Sequence, residues 1–254
     1  MIRRIRDSAS NIRIFGFDRI KMPFTDEAFD KILERIEALG PSSAKTALRT
    51  LTWCYYAQRP LKMEELREAL AVEDGDSELR KNENSPASIV ECCLSFVNHD
   101  QSTGEVRFVH PSVQRWFQNE RQNQKLLPLE YIAKTCLTYL NFDVFDVPIG
   151  DAKSIAPEDL LVQFTSYHLY RYAARFWSDH TREVEQEPTM QTASLAFLEA
   201  ENCRDLMLRT TSRIEHRRYI GGQSSLHVAA SRGLASLCHV LLAGNLRETV
   251  LLLS

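Results

Sequence analysis

The stretch "SPASIVECCLSFVNHDQSTGEVRFVHPSVQRWF", residues 85–117, changes its hydrophobic rhythm twice. "SPASIVECC" opens as a helix does: Ser85 suits an N-cap, and Pro86 suits the first helical position, where its missing N–H has no helical partner. "LSFVNHD" and "EVRFVH" alternate as strands do, and the "QSTG" between them puts a glycine at the turn, which predicts a hairpin. "PSVQRWFQNE" then returns to helical spacing through Val113, Trp116 and Phe117.

Three helical patterns precede this stretch. Thr25 is placed to cap the first, whose apolar residues recur at Phe29, Ile32, Leu33, Ile36 and Leu39 until Gly40 and Pro41 stop it. "SAKTALRTLTWCYYAQRP" carries Leu48, Leu51, Thr52 and Tyr55 on one stripe and is ended by Pro60. "LKMEELREALAV" is the third, and the acidic "EDGDSELRKNENS" after it reads as a solvated loop. After the leading helix, the order helix, helix, helix, hairpin, helix is that of a winged-helix domain.

From Leu129 onward the periodicity is helical throughout, in "LPLEYIAKTCLTYLNF", "PEDLLVQFTSYHLYRYAARFWSDH" and "SLAFLEAENCRDLML". The last part, "GGQSSLHVAASRGLASLCHVLLAGN", residues 221–245, resembles one ankyrin repeat. Leu226, His227, Ala229, Ala230, Gly233, Leu241, Leu242 and Gly244 fit that pattern, while Ser224 and Ser225 stand where it has Thr-Pro. The small Ala229 and Ala230 let paired helices approach, and Gly233 and Gly244 are expected to end helices with positive φ. A single repeat cannot bury both its faces, so the chain reads as part of a longer array. The expected fold is therefore mainly α: an irregular segment 1–23, a winged-helix domain with a leading helix and a small β-hairpin wing over 24–122, a helical connector over 126–218, and the start of an ankyrin array over 220–254.

Composition narrows the function classes. The chain has 254 residues, is 44% hydrophobic and carries a formal charge of −3, so it is globular and lacks a global basic field for phosphate backbones. The winged helix's middle helix, "SPASIVECC", has no Lys or Arg and one Glu, unlike a major-groove reader, and the wing offers Arg107 alone. No run of about 18 apolar residues occurs, and the start "MIRRIRDSASNIRIF" is basic without an apolar signal core. Six cysteines, at 54, 92, 93, 136, 203 and 238, include no C-x-x-C, so free thiols in a reducing cytoplasm are expected. Adjacent Cys92 and Cys93 are not expected to aim at one ligand from a helix. There is no H-E-x-x-H, no G-x-S-x-G and no G-x-x-x-x-G-K-[ST]; the one Gly-Gly, at 221 and 222, precedes no Lys-Ser/Thr. No catalytic residue, metal or cofactor is expected, and no small-molecule substrate, membrane or nucleic acid. The partners expected are proteins. Asp26, Asp30 and Glu34 alternate with Lys31 and Arg35, as on a solvated helix face. His99 is read as solvated, and His168 and His180 as groups at the edge of a core.

The phrases "RPLKMEELREAL" and "VRFVHPSV", with "YRYAARFWSDH" and the repeat downstream, resemble the region of fungal NACHT-ankyrin proteins between the NTPase and the repeats. That region includes the winged-helix domain named after the GPI inositol-deacylase family, and the resemblance covers roughly residues 24–245. It implies a place in a receptor of the NOD-like type, with an effector, a nucleotide switch and a repeat sensor. In related switch ATPases a histidine at the joint between a winged-helix strand and the next helix contacts the β-phosphate of ADP, and His110 sits at the matching place. Two readings of His110 stand: a hydrogen-bonded histidine tying hairpin to helix, or a nucleotide contact conditional on an NTPase module. The chain reads as a non-enzymatic protein-interaction or regulatory fragment of a NOD-like-receptor-type protein lacking its NTPase module, with an incomplete gene model of a full nucleotide-operated switch and a winged-helix DNA-binding regulator as alternatives.

Overall fold

The computed structural model describes residues 25–81, 84–119, 123–148 and 165–253. The readings of segment 1–23 and of a helix over 157–164 lie outside them. The winged-helix part comprises α1 (Asp26–Glu37), α2 (Pro41–Tyr56), β1 (Leu61–Lys62), α3 (Met63–Ala71), α4 (Pro86–Cys92), β2 (Val97–His99), β3 (Glu105–Phe108) and α5 (Pro111–Phe117). The three strands form one antiparallel sheet in the order β1-β3-β2. Thr25 and Ser85 cap α1 and α4 as expected, accepting from Ala28 N–H and Ser88 N–H. The hairpin register pairs Val97 with Phe108 and His99 with Val106, and Gly104 closes the turn at φ +71°, a conformation that favours glycine.

Three local readings change. Pro41 does not stop a helix but opens α2 at its first turn, a position that tolerates a missing N–H. Leu61 and Lys62 are not a helical lead-in: they pair with Val106 and Glu105 as a third strand, and Met63 N–H donates to Gly104 O at 2.8 Å. The loop after α3 is not fully free either, because Arg49 grips Glu73 with two bonds of 2.9 and 2.8 Å and Asp143 N–H donates to Ser77 O at 2.9 Å.

The core of this part is aromatic. Phe29 of α1 lies 5.8 Å from Phe96 and 5.6 Å from Trp116, ring centre to ring centre, and Phe96 lies 6.0 Å from Phe117. Tilted and edge-on pairs at these separations add about 0.5–1.5 kcal/mol each to the burial of their area. They fix the hairpin and α5 against α1, so the joint at His110 is set by packing.

The rest is helical: α6 (Leu129–Leu140), a 3-10 turn (Asp143–Phe145), α7 (Tyr170–Arg182), α8 (Pro188–Glu199), α9 (Glu201–Ile214), α10 (Ser225–Ser231) and α11 (Ala235–Leu253). "SLAFLEAENCRDLML" is broken between α8 and α9 at Ala200, whose ψ of 84° is not helical. Gly233 separates α10 from α11 at φ +70°. Gly244 does not end a helix: α11 runs through it to Leu253, and its backbone is not left-handed. Buried residues from Phe29 to Leu237 form one continuous cluster across all these parts. Among the described residues, no helix is long and apolar enough to cross a membrane.

Candidate functional site

His110 is the N-cap of α5. Its Nδ1 accepts from Ser112 N–H at 3.1 Å and lies 2.8 Å from Ser112 Oγ, and the ring is exposed. A side chain that accepts from the first turn of a helix supplies one of the acceptors that the helix lacks. Beside it Val109 is also exposed. On α4 the exposed positions are Ser85, Ala87 and Glu91, while Ile89 is fully buried, so that helix presents no cation. Arg107 of the wing pairs with Glu105.

Residues 224–237 form a helix-turn-helix docked through one face. Val228, Ala229, Leu234 and Leu237 are buried, and Ser225 Oγ donates to Leu198 O at 2.8 Å. Arg182 donates to Arg232 O at 2.8 Å. Ser224 caps α10: its Oγ accepts from His227 N–H at 3.4 Å and lies 2.7 Å from His227 Nδ1. Of the ankyrin-pattern residues, Ala229 is buried, Leu226 and Leu241 are half-buried, and His227, Ala230, Leu242 and Gly244 are exposed.

A dense set of buried polar contacts lies elsewhere, at the seam between the winged helix and the connector. Glu68 of α3 is 8% exposed, yet its carboxylate has four partners. Tyr139 OH donates to Oε2 at 2.5 Å and Leu169 N–H at 2.8 Å; His168 N–H donates to Oε1 at 3.0 Å, with His168 Nδ1 2.8 Å from the same oxygen. The carboxylate thus caps α7 from another element and sits where the helix dipole favours negative charge. Burial first, then the nearby Glu68 charge, keeps the Tyr139 phenol protonated far above its ordinary range.

A second link lies beside it. Trp53 of α2 stacks edge-on against Tyr172 of α7 at 5.7 Å. Gln58 N–H donates to Tyr172 Oη at 3.0 Å, and the Tyr172 hydroxyl contacts His180 Nε2 at 2.9 Å. The Tyr172–His180 contact is a hydrogen bond in either tautomer of the ring, and His180 Nδ1 is buried with no partner. Burial lowers the His180 pKa to about 4. The segment between the two parts is stitched to α2 as well: Leu127 N–H donates to Thr52 Oγ1 at 3.1 Å, and Tyr56 OH donates to Asn123 Oδ1 at 2.8 Å.

His168 and His180 are therefore both at the seam, the former with its side chain 47% exposed and the latter fully inside. His99 is half-buried, 3.1 Å from Gln101 Nε2. Cys92 and Cys93 both bond back into α4: their thiols donate to the carbonyl of Ile89, three and four residues earlier, each at 3.2 Å. All six cysteines are free. Asp26, Lys31, Glu34 and Arg35 are exposed on α1, and Asp30 is half-buried. Among the described residues, no group of three or more His, Cys, Asp or Glu is arranged to hold a metal.

Residues 33–126 match the family model described as "GPI inositol-deacylase, winged helix domain". The match runs from Leu33, buried in α1, to Leu126, a buried residue just before α6, so the segment with the three-stranded sheet is a winged-helix domain. No curated protein matches the chain, and no solved structure does.

Proposed function

We propose that this chain is a non-catalytic regulatory region of a NACHT-type switch protein, working in the cytoplasm through protein contacts. In this reading a winged helix meets an NTPase module on one side, and the α10–α11 pair begins an ankyrin array on the other. The observation that carries it is the unbroken core, from Phe29 of α1 to Leu237 of α11, crossed at the seam by the bonds of Glu68 and Tyr172. In this reading a movement imposed at the winged helix reaches the terminal pair through that shared core. Support at the two ends comes from exposed apolar side chains, Val109 beside His110 and Leu242 on α11. The cation-free surface of α4 disfavours the DNA-binding alternative.

Site-specific photo-crosslinking in source cells tests this. A crosslinker at position 109 is expected to capture polypeptide carrying a P-loop sequence, and one at position 242 further helical repeat. Capture of DNA rather than protein from either position overturns the proposal.

A further inference from the structure

An open cleft of about 800 Å³ lies along the same seam, between the start of α3, the hairpin turn and helices α7 and α9. Four permanent cations line it, Arg59, Lys62, Arg171 and Arg175, against two carboxylates, Glu64 and Glu65. Both carboxylates are already neutralised: Glu65 by Arg59 at 2.6 Å and Glu64 by Arg67 at 2.8 Å. Arg175 is paired with Glu215. Lys62 and Arg171 are exposed and remain uncompensated within the cleft. This concentration of positive charge sits in a chain whose formal net charge is −3.

The floor is not polar. Tyr167, Phe176, Leu206 and Ile214 lie among the cations, and Arg175 is stacked over the Phe176 ring at 5.5 Å. We infer that this cleft binds an extended acidic peptide segment, one whose carboxylates alternate with apolar side chains. The carboxylates would meet Lys62 and Arg171, and the apolar side chains would meet the aromatic floor. A continuous polyphosphate fits less well, since it has no apolar groups to place on Tyr167, Phe176 and Leu206. A flat anionic membrane cannot follow a concave surface to the Phe176 floor. The inference rests on the protein-contact reading above and gives that partner its chemistry.

Fluorescence anisotropy of a labelled twelve-residue peptide alternating Glu with Leu and Phe, titrated with the whole chain, tests it. Binding is expected to weaken with added salt, and the Lys62→Glu, Arg171→Glu double variant is expected to lose about tenfold in affinity, about 1.4 kcal/mol. Arg35→Glu, on the far helix α1, serves as the control and is expected to bind as the parent does. Equal binding by the double variant, or equal binding of a Gln-for-Glu peptide, overturns the inference. So does tighter binding of duplex DNA or of phosphatidylserine vesicles than of the peptide, with the same loss in the double variant. None of these outcomes alters what is captured at positions 109 and 242, so the two proposals fail separately.

Discussion

Replacing Glu68 by alanine removes the acceptor on which the seam converges. Two of its partners, Tyr139 OH and Leu169 N–H, are in buried bonds, and alanine offers them no acceptor. A buried donor left without a partner costs about 1–3 kcal/mol, so the pair costs about 2–6 kcal/mol. The His168 side chain is nearly half exposed; water replaces its contact and it adds little. At about 2–4 °C per kcal/mol for a chain of this size, the expected fall in Tm is about 10 °C. Glu68→Gln keeps the shape and one oxygen but turns an amide NH₂ toward a donor, so roughly half that loss is expected, and Tyr139→Phe, which leaves Glu68 its other donors, should cost about 1 kcal/mol. Thermal melts followed by tryptophan fluorescence give the stability, and amide exchange at Leu169 localises the opening. A Tm for Glu68→Ala within about 3 °C of the parent, or unchanged protection at Leu169, refutes the assignment of Glu68 as the clamp.

Three further expectations follow from the packing. Because burial depresses the His180 pKa to about 4 from its ordinary 6.5, the unfolded chain binds the proton more readily; stability is full above about pH 6.5 and falls as pH drops toward 4, by on the order of 3 kcal/mol. Urea midpoints against pH should show this slope and lose it in His180→Phe; an unchanged slope contradicts the assignment. Leu237→Ala, at a fully buried site, should cost about 2–5 kcal/mol, whereas Leu242→Ala, at a site 47% exposed, should stay within about 0.5 kcal/mol; denaturant titration of both variants separates a docked helix pair from a loose one. His110→Ala should cost about 1 kcal/mol through loss of the α5 cap, with His110→Asn restoring it, as read from the same titration.

The winged-helix order was legible because its signals are local. Ser85-Pro86, the alternation on either side of "QSTG" and the return to helical spacing at Val113 are each decided within a few residues. β1 was not legible, since a two-residue strand has no period of its own and exists only through its pairing with β3. Pro41 carried the right signal for a boundary, but it begins the following helix. Gly244 was misread because the pattern that gives Gly233 its turn does not oblige the helix to end eleven residues later. The seam was the least legible part. Glu68 finds its acceptor role 71 and 101 residues away, at Tyr139 and Leu169, and among "EELREAL" its one local sign is that a carboxylate falls beside Leu66, Ala69 and Leu70. The cleft's positive field is likewise assembled from Lys62 and Arg171, which nothing in the linear charge pattern groups.

Whether this chain is the regulatory middle of a larger switch protein is read from the intact mass of the native protein. Capture uses an antibody raised against residues 25–245. The expected result is a polypeptide far heavier than the 29.2 kDa of this chain, with a P-loop peptide in its digest. A native mass of 29.2 kDa, with no P-loop protein bound, contradicts it.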